Sequence, residues 1–436
     1  MGTMTSHRPN FGLVRLLQDS LVVNSGYLLG LNLVGAVVGL AFWTLAARFY
    51  SPDQVGLASA VISIAILLAG IASLGLGIGL VRFLADADDP ERMLNTAFTF
   101  IALTSLAVGS VYLTGVQLWS PTLKFLSRRL DLALGFVGFL GLTTLGSLLQ
   151  MVYVAFREAR YAFWQVLAMN LLRLALLVAL MSAGALGIVA AVAIGIGLGN
   201  GLSLLGFLPL VVRGFCIRPR WSAGAIKKLV PYSAGGYLAD LLYRAPILLM
   251  PPLALELLDA ESSAHAYVGW MLGWLLASPG QALASSAFAE GSHAPGDLWR
   301  ILSRAVRYAM AVTTLLAVLA GLAAPWVLMP FGKGYADGAA NLLRWLATAA
   351  PLVALNNLYF SVLRVQKRMG ELAALAALSA VLSLAIPFFS LQRIGLVSSG
   401  IGWLAAQSLV TIGAGYGLLK VKKRAGCEAE ARGGVL

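Results

Sequence analysis

Charged residues are few in this sequence. They make up 11% of its 436 residues, whereas hydrophobic residues make up 59%. A soluble protein of that length could not bury so much apolar side chain in its cores. The composition therefore excludes a soluble globular chain and indicates one that uses lipid as its solvent. The 47 glycines agree with this, because glycine is common in membrane helices and lets them pack closely.

Cysteine and histidine are scarce as well, which removes two common kinds of site. Cys216 and Cys427 lie in basic segments beside apolar runs, so they indicate neither a disulfide framework nor a metal site. The three histidines are not spaced as metal ligands. A Walker A motif and an HExxH motif are also missing from the sequence. We therefore expect no cofactor and no bound metal.

Long polar stretches are missing too, since apolar runs follow one another with short connections. A soluble catalytic domain does not fit between them, and we expect that the chain is not an enzyme. A membrane-embedded glycosyltransferase or polymerase is the alternative, and it would need carboxylates in a sizeable external loop. Asp259 and Glu261 are the closest acidic pair in the expected outer loops.

The apolar runs predict membrane-spanning helices. Each span takes ~20 apolar residues, because every backbone polar group has to be paired within its own segment. The sequence thus predicts an all-α polytopic membrane protein of about 12 transmembrane helices, at 21–47, 55–81, 94–115, 132–156, 162–186, 188–212, 232–257, 264–288, 308–329, 341–363, 371–391 and 395–419.

The lysines and arginines are distributed unevenly between the two sides. Of the 31, 22 lie on the side of the two termini, six on the other side and three inside helices. Because basic residues favour cytoplasmic loops, we expect both termini in the cytoplasm. The net charge of +13 lies in short stretches between apolar runs, where it would contact headgroups, so we expect no nucleic-acid partner.

The two halves of the chain match at a nearly constant offset. Asp89 falls on Asp297 at a shift of 208, and a shift of 207 places Arg157 on Arg364. Six helices per half is an even number, so both halves would enter from the same face and be related by an axis along the membrane normal. Such pairs usually enclose a central cleft. The alternative is that membrane helices simply resemble one another in composition.

This repeat predicts two pseudo-symmetric six-helix lobes around a central cleft. The expected division is an N-terminal lobe at 1–213, a basic cytoplasmic linker at 214–230, a C-terminal lobe at 231–419 and a basic cytoplasmic tail at 420–436.

Helix 7 carries the clearest candidate site. A charge deep in a bilayer costs ~2.5 to 3.5 kcal/mol or more, so each one is a candidate site residue. Asp240 and Arg244 lie four residues apart on one face, and Tyr237 extends that stripe. Arg244 would be a cleft-facing cation for phosphate, with Asp240 as its counter-ion or as a proton or sodium site. The alternative is a self-neutralising pair that faces a neighbouring helix.

Helix 5 carries a second polar stripe, formed by Gln165, Asn170 and Arg173. Arg173 has no acidic residue nearby in the sequence, which favours an anionic ligand or a water-filled cleft over a structural ion pair. Other polar side chains within helices would line the cleft or hold helices together, namely Asn24, Asn32, Gln281 and Asn356. Three prolines in helix 7 should kink or break its outer half and form a gate hinge, unless they serve packing alone: Pro246, Pro251 and Pro252.

Four segments resemble a known family. They are AARFYSPDQVGLASA after helix 1, GLGIGLVRFLADADDPERMLNTA after helix 2, MVYVAFREARYAFW after helix 4 and SPGQALASSAFAEGSH at the end of helix 8. They are similar to the Wzx-type oligosaccharide flippases of the multidrug/oligosaccharidyl-lipid/polysaccharide (MOP) exporter superfamily. The resemblance extends over nearly the whole chain, through loose motifs.

The resemblance implies a twelve-helix, two-lobed fold with a cationic cleft and alternating access. It implies a substrate made of an oligosaccharide on a polyprenyl (pyro)phosphate, moved from the cytoplasmic to the outer leaflet of a bacterial or archaeal plasma membrane. The lipid II flippases of the same superfamily have fourteen helices and place arginines within helices 1, 2 and 8, where this chain has none. Arg173 and Arg244 are therefore this chain's own candidates for the phosphates.

Two other functions stay open. One is a drug or metabolite antiporter of the same superfamily, which would favour an acidic cleft for organic cations. The other is a non-transporting scaffold for envelope assembly. The expected partners are a polyprenyl-linked oligosaccharide, membrane lipids and, in the envelope pathway, a polysaccharide polymerase or glycosyltransferases.

Overall fold

The computed structural model describes residues 20–293 and 298–433, and all of the regular secondary structure in these ranges is helical. Twelve long helices follow one another in the described chain: α1 (Ser20–Phe49), α2 (Pro52–Ser73), α3 (Pro90–Trp119), α4 (Leu130–Ala155), α5 (Ala159–Ala179), α6 (Ala185–Leu202), α7 (Ala223–Leu257), α8 (Ala260–His293), α9 (Leu298–Leu322), α10 (Lys333–Val365), α11 (Met369–Ile394) and α12 (Val397–Gly433). Each corresponds to one of the twelve predicted spans.

Eleven of the twelve helices are long and apolar enough to cross a membrane, which makes this a multi-pass membrane protein. The exception is α8, whose sequence is rich in serine, alanine and glycine and includes Glu261, His265 and Glu290. Its neighbours explain that composition, because α8 packs on α2, α7, α9 and α10 and so contacts mainly protein.

Side-chain caps begin several helices. Ser51 and Gln54 form a reciprocal capping box at the start of α2, with Pro52 at the first helical position. Asp89 accepts a hydrogen bond from the backbone N–H of Arg92 at the start of α3. Ser222 caps α7 in the same way.

The second predicted span is wrong in one respect, because it is not one continuous helix. After α2 ends at Ser73, Leu74 and Gly75 have φ values of +44° and +72°, and a short helix, Leu76–Phe83, follows. The left-handed backbone interrupts the helical hydrogen bonds. A side chain at Gly75 would lie 2.6 Å from Cβ of Tyr237 on α7, so glycine permits the close passage of α7.

Of the kink or break predicted in α7 at Pro246, Pro251 and Pro252, the break is not found, and the gate hinge stays a prediction. The helix is continuous from Ala223 to Leu257. Packing within protein tolerates the lost backbone donors; for example, the Ser263 hydroxyl of α8 donates to the Pro251 carbonyl at 2.8 Å. The predicted linker at 214–230 is helical from residue 223 onward, because α7 begins there.

The helix boundaries reproduce the internal repeat. The starts of α2 and α8 are 208 residues apart, those of α5 and α11 are 210 apart, and those of α6 and α12 are 212 apart. The turn after α4 matches the turn after α10 at a shift of 210, because Arg157 and Lys367 both have positive φ, +58° and +56°. The predicted match of Arg157 with Arg364 is therefore wrong by three residues. Asp297, the other landmark, lies outside the described residues.

The two halves form two lobes that meet at one end of the bundle. We call the end that carries the start of α1 and the end of α12 the terminal face, and the opposite end the far face. At the far face a single core joins α1–α6 to the second lobe, and includes Phe42, Val116, Leu255, Val268 and Phe331.

At the terminal face the lobes have separate cores. One is built around Leu80, Leu149 and Tyr153, and the other around Leu358 and Leu363. Only the start of α7, through Leu229, joins the first of these from the second half of the chain. The lobes are therefore tied together at the far face and separated at the terminal face.

The closest contact between the lobes predicts a strong effect of one small substitution. A Cβ at Gly56 of α2 would lie 1.7 Å from the Ala260 carbonyl oxygen of α8, and backbone cannot move aside cheaply. We expect Gly56→Ala to destabilise the protein by about 1–3 kcal/mol, seen as a lower melting temperature of the detergent-solubilised chain.

Gly35→Ala is the matched control, because a Cβ at Gly35 of α1 would meet open space. It should leave the melting temperature unchanged or raise it slightly, since alanine is the better helix former. Equal melting temperatures for the two variants would contradict the close contact.

Candidate functional site

Two adjoining cavities lie where the lobes separate, and they share Asp240 and Arg244 of α7. One, of about 190 Å³, is set in the second lobe against α8, α10 and α11. The other, of about 390 Å³, lies between α7 and the first lobe, where α2 and α4 present Ser73, Thr143 and Ser147. Together we call them the cleft. Asp240 is the only carboxylate among the described residues that line it.

Arg244 is exposed in the cleft and forms no hydrogen bond or ion pair with any described residue. A guanidinium group has five donors in a planar fork that suits carboxylates and phosphates. The predicted position of Arg244 facing a cleft is thus where the structure places it, and its donors are available to a ligand.

Asp240 pairs with Arg364 of α10 rather than with Arg244. The Arg364 Nη2 atom donates to Asp240 Oδ1 at 2.6 Å. The predicted counter-ion role of Asp240 toward Arg244 is therefore wrong, as is the alternative of a self-neutralising pair within α7. The i,i+4 spacing does place both side chains on one face, but a residue 124 positions away provides the shorter contact.

Arg364 was missed because its position in the sequence indicates a basic turn after the tenth helix. In the structure α10 extends to Val365, and Arg364 lies in its last turn with its side chain lining the cavity. The local sequence contains no signal for this, since Lys367 and Arg368 follow within four residues. The repeat gives none either, because its shift of 210 places Val154 opposite Arg364.

The wall of the second lobe adds amide groups. Gln281 of α8 lines the smaller cavity, and its Nε2 atom is buried and has no partner among the described residues. Asn357 of α10 lines the same cavity and donates to the Tyr243 hydroxyl at 3.2 Å. Gln281 therefore offers a second unpaired donor beside Arg244.

Tyr237 ties α7 to the first lobe at the edge of the cleft. Its hydroxyl donates to the Gly70 carbonyl at 2.9 Å and accepts from Ser73 Oγ at 2.9 Å. It lines the larger cavity together with Asp240 and Arg244, as the predicted stripe on α7 requires.

The stripe on α5 does not line either cavity. Gln165 is buried and donates to Asn200 at 3.0 Å, and Asn170 is buried and donates to its own helix at 2.7 Å. The Arg173 guanidinium lies over the Phe42 ring at 5.1 Å, with no acidic partner among the described residues. Because α5 packs against α1 and α6, Gln165 and Asn170 lie inside the first lobe, while Arg173 interacts electrostatically with Tyr267 of α8 in the second lobe. The predicted place of this stripe in the cleft is wrong.

The other predicted amides hold helices together. Asn24 accepts from the Ala159 backbone at 2.9 Å, and Asn32 donates to the Leu28 carbonyl of its own helix. Asn356 is fully buried and bonds Gln407 at 2.9 Å. None of the three lines either cavity.

Polar contacts between the lobes close the far face. Arg48 of the first lobe donates to the carbonyls of Pro330 and Met329 at 2.7 and 2.9 Å. The Thr122 hydroxyl donates to Glu256 at 2.9 Å. With the shared apolar core, these contacts separate the cleft from the far face.

Comparison with known proteins identifies solved structures that share this architecture. No protein-family model and no curated protein matches the sequence. Among solved structures, an inward-facing MATE transporter of the MOP superfamily matches with a TM-score of 0.66 at 14% identity, over 91% of this chain and 99% of that one. The lipid II flippase MurJ in an inward closed conformation matches with a TM-score of 0.73 at 11% identity, over 90% of this chain and 86% of that one.

The fold is MOP/MATE-like. The MOP-like fold of this chain is all-helical, with two lobes around a central cleft, as the sequence predicted, and the solved structures that share it are transporters and flippases. An outward-facing MATE transporter matches with a lower TM-score, 0.57, at 14% identity, over 97% of this chain and 100% of that one. The two inward conformations thus match with higher TM-scores than this outward-facing one.

The Arg48 contacts predict how the far face opens. Hydrogen bonds from a charged donor contribute about 1.5–3 kcal/mol each, so we expect Arg48→Ala to open the far face more often. The readout is labelling of a cysteine at Ser147, in a background of Cys216→Ser and Cys427→Ser, by a membrane-impermeant maleimide added at the far face. The labelling rate should rise at least tenfold, since a loss of about 1.4 kcal/mol alone gives that factor.

Arg129→Ala is the control, because Arg129 pairs with Asp131 two residues away and does not bridge the lobes. It should not change the labelling rate. A rate that Arg48→Ala also leaves unchanged would show that these contacts do not hold the far face closed.

Proposed function

We propose that this protein is a flippase for a lipid-linked oligosaccharide, carried on a polyprenyl (pyro)phosphate, in the synthesis of a cell-envelope polysaccharide. It moves the substrate from the cytoplasmic to the outer leaflet by alternating access. The observation that carries the proposal is the unpaired guanidinium of Arg244 in a cleft between the two lobes.

The chemistry of the cleft suits such a substrate. An arginine fork binds phosphate oxygens in a bidentate manner, with charge-assisted hydrogen bonds. The serine, threonine and amide side chains on the walls can exchange hydrogen bonds with sugar hydroxyls. The lipid tail can stay in the bilayer between the lobes while the polar head crosses.

Similarity to solved structures supports a substrate of this class. One of the matching structures is a flippase for lipid II, itself a lipid-linked molecule by its name. The motifs after helices 1, 2 and 4 and at the end of helix 8 support the finer assignment to the Wzx-type proteins, with a polysaccharide polymerase or glycosyltransferases as partners.

The charge distribution supports a plasma-membrane location with the terminal face in the cytoplasm. Basic residues are concentrated at that face, in the turns after α4 and α10 and in the segment before α7. With this orientation the described structure is the inward-facing state. It is the state that would load substrate from the cytoplasmic leaflet.

A cation antiporter is the second candidate, because several of the matching structures are MATE transporters. Such a protein would present a free carboxylate to an organic cation. Among the described residues, Asp240 is the only carboxylate that lines the cleft, and it is engaged by Arg364, while Arg244 has no partner there. The same contact weakens the case for Asp240 as a coupling-ion site. The electrostatics of the cleft therefore favour an anion.

Flipping in proteoliposomes tests the proposal. The assay measures how much of a polyprenyl-pyrophosphate-linked oligosaccharide, added on one leaflet, reaches the other. We expect the wild-type chain to move it and Arg244→Gln to reduce the rate by at least tenfold, because the variant loses the charged phosphate contact.

Arg304→Gln is the control, because Arg304 is exposed outside the cleft and pairs with Glu290. It should flip at the wild-type rate. Equal flipping by Arg244→Gln and the control would remove Arg244 from the site. A wild-type chain that moves an organic cation and no lipid-linked sugar would establish the antiporter, and one that moves neither would favour the scaffold.

A further inference from the structure

We infer that the second-lobe wall of the cleft is a phosphate-binding site in which Arg364 joins Arg244 and the Gln281 amide, with Asp240 as an internal competitor for Arg364. The inference rests on the proposed function in one respect, since it takes the ligand to be the pyrophosphate head of the lipid-linked substrate. The evidence for the site is its balance of donors and acceptors.

Donors exceed acceptors around the smaller cavity. Within the described part of the chain Arg244 has no partner, and the Nε2 atom of Gln281 is buried without one. Arg364 has a single carboxylate partner, although its fork can make several hydrogen bonds. A buried donor without an acceptor is costly, so this wall is stabilised by a ligand rich in acceptor oxygens. A phosphate group, which has negative charge and only acceptors, is such a ligand.

The cavity also has room for it. Its volume of about 190 Å³ equals roughly six water molecules at about 30 Å³ each. Arg364 approaches from α10, Arg244 from α7 and Gln281 from α8, so a ligand there would be held from three helices of the second lobe.

Asp240 occupies Arg364 while the cleft is empty. The Asp240 and Arg364 side chains are 47% and 36% exposed, so the pair is accessible to solvent rather than sealed. Ion pairs of that exposure are weak. A pyrophosphate that already contacts Arg244 can therefore displace the carboxylate from Arg364, because it carries more charge and offers two oxygens to the fork.

This competition lowers the affinity of the empty site and keeps Arg364 positioned at the cavity. A transporter has to release its substrate on the other side, and two arginines without a competitor would hold a pyrophosphate more tightly. When the phosphate leaves, Asp240 takes Arg364 back, which favours release. Asp240 is thus a positioning residue, and Arg364 a binding residue that the local sequence does not reveal.

Binding of inorganic pyrophosphate to the full chain tests the inference. The protein is placed in nanodiscs of zwitterionic lipid, and equilibrium binding of radiolabelled pyrophosphate is measured for Asp240→Asn, Arg364→Gln, the double variant and the control Arg304→Gln. We expect Arg364→Gln to weaken binding about tenfold and Asp240→Asn to tighten it about tenfold. In the Arg364→Gln background, Asp240→Asn should lose most of its effect.

The double variant decides between two causes. If Asp240→Asn tightens pyrophosphate binding equally in the wild-type chain and in Arg364→Gln, the Asp240 carboxylate acts only by long-range repulsion of the anion. The proposed competition for Arg364 would then be wrong. Weaker binding by Asp240→Asn would also overturn it, since Asp240 would then support the ligand directly. Elution of each variant as a single peak in gel filtration shows that it is folded, and Arg364→Lys, which keeps the charge, should bind between wild type and Arg364→Gln.

Two further measurements separate this inference from the proposed function. Phosphatidylglycerol in the nanodiscs should not change the affinity for pyrophosphate. If the lipid competes with pyrophosphate, the site binds phospholipid headgroups instead and the assignment is overturned. A wild-type chain that flips lipid-linked sugar without binding pyrophosphate would remove this site and leave the flippase standing. Pyrophosphate binding with the expected variant pattern, but without flipping, would support this site and remove the proposed flippase function.

Discussion

The cost of placing a charged side chain in the middle of a membrane helix governs this structure. Arg244 has no ion pair with any described residue, and hydrocarbon cannot solvate it. The lobes therefore have to leave polar space beside α7, and the serine, threonine and amide groups of α2, α4, α8 and α10 line that space. Packing between the lobes at the far face compensates for the contact between them that is lost at the terminal face. The separation of the lobes at one end and their shared core at the other follow from that requirement.

Much of the fold could be predicted from the sequence, because lipid imposes simple rules. A span needs a long apolar run, so eleven of the twelve helices, including the pair α5 and α6, could be located from such runs, and α8 could be located although its composition is more polar. The two-lobed repeat was visible as an offset of about 208 residues, which the structure widens to 212 toward the end of the chain. The break after Ser73 could not be found in this way, since it depends on Tyr237 passing close to Gly75, a contact between residues far apart in the chain.

The candidate site was predictable only in part, because it too depends on contacts between residues far apart in the chain. Periodicity along α7 placed Tyr237, Asp240 and Arg244 on one face, and all three line the cleft. Periodicity could not show which way the face of α5 points, and Arg173 lies over the Phe42 ring, outside both cavities. Nor could it join Asp240 to Arg364, because an ion pair between helices is set by tertiary packing. Local spacing predicts which residues share a helix face, whereas their partners depend on the fold.

The contact of Arg48 with the loop before α10 bears on how such a chain can diverge. Its acceptors are the main-chain carbonyls of Met329 and Pro330, which every amino acid supplies. Replacing the exposed side chains of Met329 and Pro330 would leave the acceptors in place, whereas adding or removing one residue would move them out of reach. Drift in composition at these two positions is therefore tolerated, and a change in the length of the segment is not.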